Sequence, residues 1–182
     1  MIEYVAFLRG INVGGKKLIK MEALRRVIES LGFKNVRTFI QSGNVIFESR
    51  ETNRETLTAK VEKELLKSFG HDVTVVLQTV VELEAILKLN PFRKIKAGAD
   101  VVMFVTLLAG EPAVKAKVPL RSSTEKLEVL AIKNRAALIL CHRKPNGLFS
   151  FPNNFFEKHF QVAATTRNWN TVQRIVAFAK AV

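Results

Sequence analysis

Between Ile2 and Gln78 the apolar residues switch between strand-like and helix-like spacing in an order that few folds accommodate. Ile2–Leu8 is an apolar run that reads as a strand. Met21, Leu24, Val27, Ile28 and Leu31 then recur at helical spacing, with Glu22, Arg25, Arg26 and Glu29 opposite them. Gly32 is placed to end that helix. Val36–Gln41 and Val45–Glu48 read as strands joined by the tight-turn signal Ser42-Gly43-Asn44. Asn53–Phe69 reads as a second helix with Leu57, Val61, Leu65 and Leu66 inward and Gly70 as its cap, and Val73–Gln78 as a fourth strand. The order β-α-β-β-α-β predicts an α+β fold whose first subdomain, residues 1–79, is a ferredoxin-like α/β plait with an antiparallel sheet.

A plait brings three connections to one end of its sheet: the segment after the first strand, the hairpin turn, and Gly70-His71-Asp72 before the fourth strand. The first of these, Arg9-Gly10-Ile11-Asn12-Val13-Gly14-Gly15-Lys16-Lys17, carries three of the nine glycines and three cations. Roughly 2–6 residues would suffice for such a connection. The composition suits a tightly turned backbone that aims N–H groups at an anion, assisted by Arg9, Lys16 and Lys17. Gln41, Ser42 and Asn44 should lie beside it. The plain alternative is that these are turns, where Gly and Asn belong in any case.

Residues 80–182 are less regular. A capping-box pattern at Thr79–Glu82 opens a helix to about Lys88, which Asn90-Pro91 ends. Val101–Leu108 reads as a buried strand, Gly110–Lys117 as a short helix, and Leu127–Ile132 with Ala136–Cys141 as a hairpin around Asn134. Asn153 or Asn154 can cap a helix through Phe160. Ala163–Asn168 reads as a polar linker before a final amphipathic helix, Trp169–Val182. The expectation is a second, imperfect plait subdomain without an obvious fourth strand.

The charge balance is +13, from 29 Lys and Arg against 16 Asp and Glu. Residues 1–79 hold 13 cations against 9 acids and the remainder 16 against 7, so the excess lies in the second half. Such a chain attracts polyanions, nucleic acid first, although scattered lysines also serve solubility. No apolar run approaches the roughly 18–20 residues needed to span a bilayer, and no secretory pattern opens the chain, so no membrane partner is expected. A single cysteine, Cys141, forms no internal disulfide, which points to the cytoplasm.

Several chemistries can be weighed on residue types alone. Gly10-x-x-x-x-Gly15-Lys16 has the spacing of a phosphate-binding P-loop, but Lys17 stands where Ser or Thr would hold Mg²⁺, and helical spacing starts only near Met21. Base stacking on central strands would need spaced aromatics, whereas Phe7, Phe39 and Phe47 read as core. His71, His142 and His159 have no metal spacing with Cys141 or each other, and no cofactor is expected. Asn168 is a good N-cap for the last helix and Trp169 a plausible anchor. Arg167 pairs with a carboxylate or, if the segment meets the first loop, contacts ligand together with Arg9 and Lys16.

Three segments carry a family resemblance: Tyr4-Val5-Ala6-Phe7-Leu8-Arg9-Gly10-Ile11-Asn12-Val13-Gly14-Gly15, Thr38-Phe39-Ile40-Gln41-Ser42-Gly43-Asn44-Val45-Ile46-Phe47, and Ala164-Thr165-Thr166-Arg167-Asn168-Trp169-Asn170-Thr171-Val172. They resemble the motifs of a widespread bacterial family, domain of unknown function 1697. The resemblance implies two tandem α/β-plait subdomains and no activity. Phe160-Gln161 departs from it, because the family usually has a glycine before the Thr-Thr-Arg segment.

The leading expectation is therefore a binding protein for a phosphate-bearing partner, nucleic acid or a phosphorylated small molecule. Its ligand residues would be Arg9, Asn12, Gly14, Gly15, Lys16 and Lys17, with Gln41, Ser42 and Asn44 beside them and Arg167, Asn168 and Trp169 as further candidates. The alternatives are a metal-independent enzyme at the same end and a protein-interaction module without ligand.

Overall fold

The computed structural model describes residues 1–96, 98–112 and 117–181. Its elements are β1 (Ile2–Leu8), α1 (Met21–Ser30), β2 (Lys34–Phe39), β3 (Asn44–Ser49), α2 (Arg54–Phe69), β4 (Val75–Thr79), α3 (Val80–Leu89), β5 (Val101–Leu108), β6 (Leu120–Ser122), β7 (Leu127–Lys133), β8 (Ala136–His142), α4 (Pro152–Phe160), β9 (Ala164–Asn168) and α5 (Trp169–Lys180). The strands form two antiparallel sheets, one of four and one of five strands, in an α+β arrangement. The chain divides into two compact units, Met1–Val81 with Phe178–Val182, and Glu82–Ala177. No helix among the described residues is long and apolar enough to cross a membrane.

The first unit's sheet has the order β2-β3-β1-β4. Ala6 on β1 lies opposite Val45 of β3 and Leu77 of β4, so the central strand is paired on both sides. Both of its faces are buried as well, with Tyr4, Val5, Ala6, Phe7 and Leu8 almost wholly removed from solvent. The core of this unit joins alternate β1 residues to Leu24 and Ile28 of α1 and Leu57, Val61 and Leu65 of α2. The helices form where their sequence dictates. On the outer face of α1, Arg25 pairs with Glu22 and Glu29. On α2, Asn53 caps the first turn by accepting from the Thr56 N–H at 2.9 Å, and Gly70 ends the helix in the left-handed region. Leu66 does not face inward: it is 51% exposed, one helical step round from the buried stripe that Leu65 ends. Phe7 and Phe47 are core residues, and Tyr4 and Phe33 stack on Phe47, so these central-strand rings do not form an exposed base-stacking surface.

The second sheet has the order β6-β7-β8-β5-β9. Without the three-residue edge strand β6, this repeats the order of the first sheet. The backbone repeats too. Leu8 and Leu108 end their strands by donating to a hairpin-turn carbonyl, Gly43 and Arg135 respectively, each at 2.8 Å. The next residues, Arg9 and Ala109, donate to Thr74 and Ala163 just ahead of β4 and β9, each at 2.9 Å.

Two expectations for this unit are corrected. The stretch Ala163–Asn168 is not a linker, because Ala164–Asn168 is β9, the missing fourth strand, paired with β5 from Phe104↔Asn168 to Leu108↔Ala164. Its polarity hid it, since Thr165 and Thr166 are buried but polar. Thr106 and Thr166 join hydroxyls at 2.8 Å, and Thr166 donates to Asn153 Oδ1 at 2.6 Å, so the buried oxygens satisfy one another. That bond also takes Asn153 away from capping. The N-cap position of α4 is Phe151, with no side-chain cap, and Pro152 occupies the first turn. The helix expected over Gly110–Lys117 falls largely on 113–116, outside the described residues.

Candidate functional site

The segment between β1 and α1 closes on itself before it reaches anything else. Gly14 and Gly15 have φ of +57° and +74°, the left-handed pair that a tight two-residue turn requires, and Lys16 N–H donates to Val13 O at 3.1 Å across it. Asn12 N–H donates to Lys17 O at 3.2 Å one step further back. The result is a short glycine-tipped finger, with α1 starting only at Met21. The geometry is unlike a P-loop, in which the glycine turn leads straight into a helix N-terminus.

Asn12 ties this finger down. Its side-chain amide donates to Ile19 O at 3.0 Å and Gln41 O at 2.9 Å, and its oxygen accepts from Ile19 N–H at 2.8 Å. Lys17 Nζ donates to the backbone carbonyl of Asp72. The three connections expected at one end of the sheet therefore do meet, fastened by Asn12 to the β2–β3 turn and by Lys17 to the segment before β4.

The β2–β3 turn is built to receive the finger. A Cβ on Gly43 would lie 2.6 Å from Ile11 Cδ1 and 2.9 Å from Leu8 Cβ, and its φ is +72°. Asn44 is wholly buried, and its amide donates to Phe39 O and Ser42 Oγ, each at 3.0 Å. Asn12, Lys17, Ser42 and Asn44 thus hold the architecture together. Solvent is faced by Gly14, Gly15, Lys16, Lys20 and Gln41, with Arg9 half-buried at the base. Val13 and Leu18 are 66% and 70% exposed beside those cations. The backbone amides of Asn12 and Lys16 are spent inside the finger and are not offered to an anion.

Arg167, Asn168 and Trp169 belong to the second unit. The Arg167 guanidinium donates to Thr165 Oγ1 and Thr166 O, each at 3.0 Å. Part of its surface reaches solvent, yet desolvation of the charged head pulls its pKa down to about 10. Asn168 Oδ1 accepts from Asn170 N–H at 3.0 Å and so caps α5. Trp169 is buried with its ring edge-on to Phe92 at 5.0 Å, which makes it the helix anchor. Burial pushes the Cys141 thiol up to about 12, an inert group at neutral pH. No cluster of three His, Cys, Asp or Glu side chains among the described residues is arranged to hold a metal.

Two concave regions escaped the sequence reading. One, of about 790 Å³, lies at the opposite end of the first unit, between Gly32, Asn35, Arg50 and Lys60. The other, in the second unit, combines Phe149, Phe151 and Phe155 with Lys144, Lys158 and the hydroxyls of Ser122 and Thr124. These residues are scattered over 122–159 and share no periodicity; Phe149-Ser150-Phe151 was the one signal available.

Comparison with known proteins gives a family and a fold. The model of the family described as "Protein of unknown function (DUF1697)" matches residues 1–137, and the chain belongs to that family. No curated protein matches the chain. A solved structure, that of the conserved bacterial protein SP0830 from Streptococcus pneumoniae, is similar at 23% identity with a TM-score of 0.67, covering 98% of this chain and 99% of that one.

Proposed function

We propose that this DUF1697 protein is a soluble, cytoplasmic binding protein for a phosphate-bearing partner, and that the glycine-tipped finger of the first unit is its contact surface. The observation that carries the reading is the fixed finger itself. Asn12 and Lys17 immobilise its base, while Lys16 at its tip and Lys20 behind it stay exposed. A finger already fixed at its base loses little backbone freedom on binding, so that only the lysine side chains remain to be ordered. The surface projects and does not enclose, which favours the backbone of a nucleic acid over a small phosphorylated molecule. The net charge of +13 supports the same partner class. Strand order β2-β3-β1-β4, with helices following β1 and β3, further supports assigning the first unit to the ferredoxin-like plait, and the matching order β7-β8-β5-β9 supports it for the second.

Fluorescence anisotropy with short labelled RNA and single-stranded DNA, at several salt concentrations, tests the reading. The expected result is micromolar binding whose logarithm falls linearly with that of the salt concentration and which weakens in Lys16→Glu and in Arg9→Ala/Lys16→Ala. Absence of binding at low salt refutes the nucleic-acid partner. Salt-sensitive binding unchanged in these variants removes the finger as its site.

A further inference from the structure

We propose that the second unit carries a separate site for a mononucleotide, in the cavity between the β6–β7 turn, the segment 144–151 and α4. The cavity measures about 480 Å³ and adjoins a second of about 540 Å³ that shares Ser122, Thr124, Phe155 and His159 with it. Each lies within the range of roughly 300–1,000 Å³ typical of small-ligand sites.

The lining divides by chemistry. Phe149, Phe151 and Phe155 all line the cavity; the Phe149 ring already carries the Arg143 guanidinium at 5.0 Å, whereas Phe151 is 60% exposed, unusual for so large an apolar ring beside a cavity. A planar base laid against such rings removes that surface from water, at roughly 1–3 kcal/mol per stacked base. Lys158 and Lys117 extend from the cavity walls, and Ser122-Ser123-Thr124 supplies hydroxyls on the turn. The acid in the lining, Glu125, is already engaged: Oε2 accepts from Ser150 Oγ at 2.7 Å and from Lys144 Nζ at 3.1 Å. The Ser150 hydroxyl and then Lys144 hold its carboxyl below the usual range, so it remains ionised and keeps Lys144 in place. Arg121 is likewise paired with Glu128 at 2.8 Å. Lys158 in the first cavity, which also neighbours the Glu125 carboxylate, and Lys117 in the adjoining one are exposed cations placed to meet a phosphate, while the rings offer a surface to a base. Phosphate alone would use half of this surface, and a nucleoside the other half.

The site is independent of the finger, and so is its test. Isothermal titration of the full chain would use adenosine and cytidine 5′-monophosphates, the matching nucleosides and inorganic phosphate. The expected result is saturable binding of at least one monophosphate with Kd on the order of 10–500 μM, about tenfold or more tighter than its nucleoside or phosphate. Lys158→Ala and Phe151→Ala, both at exposed positions, should each weaken it about fivefold or more with the melting temperature within about 2 °C of the parent, and Lys16→Ala should leave it unchanged. The proposal is overturned by absence of saturable binding, by phosphate binding as tightly as the monophosphates, by retention of affinity in Lys158→Ala and Phe151→Ala, or by loss of affinity in Lys16→Ala.

Discussion

Gly43 shows how much a single atom decides here. The finger packs so closely on the β2–β3 turn that a methyl group at this position meets the side chains of Ile11 and Leu8 inside contact distance. The backbone is also left-handed, which adds a cost for any L side chain. Gly43→Ala should therefore lose about 2–4 kcal/mol in urea denaturation, where a turn glycine with open space would lose less. Cys141 makes a prediction of a different kind. Its thiol is raised in the folded state from 9.0 to about 12, because burial disfavours the thiolate. The folded chain keeps a proton that the unfolded chain releases, so this contribution to stability is complete below about pH 9 and is lost as pH rises towards 12. Between these limits the parent should lose stability with pH more steeply than Cys141→Ala, by at most about 1.4 kcal/mol per pH unit. Equal slopes for the two proteins, measured by denaturant unfolding at pH 9.5–11 (about the middle of that window), would show that the thiolate is not penalised.

Among the elements, α4 ends on a residue that its own backbone disfavours. Gln161 occupies the C-cap at φ +51°, the left-handed conformation in which glycine is at no disadvantage. Gln161→Gly should raise stability by about 0.5–1 kcal/mol, read as a higher melting temperature. The elements also show what the sequence could and could not reveal. The bounds of β1 and β5 follow from their apolar runs, and α2 from Asn53 at one end and Gly70 at the other. β9 was invisible because its buried residues include Thr165 and Thr166; the Thr166 hydroxyl finds partners on β5 and α4, and the Thr165 hydroxyl accepts from Arg167, only after folding. β6 is three residues long, too short for any period to register. Within the site, convergence of the three connections followed from strand order alone. The roles did not. Asn12 and Asn44 look like ligand donors in a sequence, and only their hydrogen-bond partners reveal them as fasteners. Lys16 and Lys17 both follow the Gly14–Gly15 turn and are of the same type, yet one is exposed and the other is bound to the Asp72 carbonyl, a difference that only the folded chain reveals.

At the scale of the whole molecule, the two sheets share one strand order apart from β6, while their charge and surfaces differ. The first unit holds 14 Lys and Arg against 9 Asp and Glu, and the second 15 against 7. The first has a long glycine finger after its first strand, and the second has β6 and an aromatic-lined cavity. Common to both is the way the last strand ends. Thr79 of β4 is followed directly by Val80 of α3, and Asn168 of β9 directly by Trp169 of α5, with no residue between strand and helix. A single inserted residue at either junction would turn the helix by about 100° relative to its strand. At the second junction it would carry Trp169, Val172, Ile175 and Val176, all now buried, off their stripe. An insertion within the strand would exchange its two faces instead. Chain length at these two points is therefore frozen. Insertions and deletions accumulating among descendants of this sequence should be confined to connecting loops, and the two strand–helix junctions should pass between genomes without gaps.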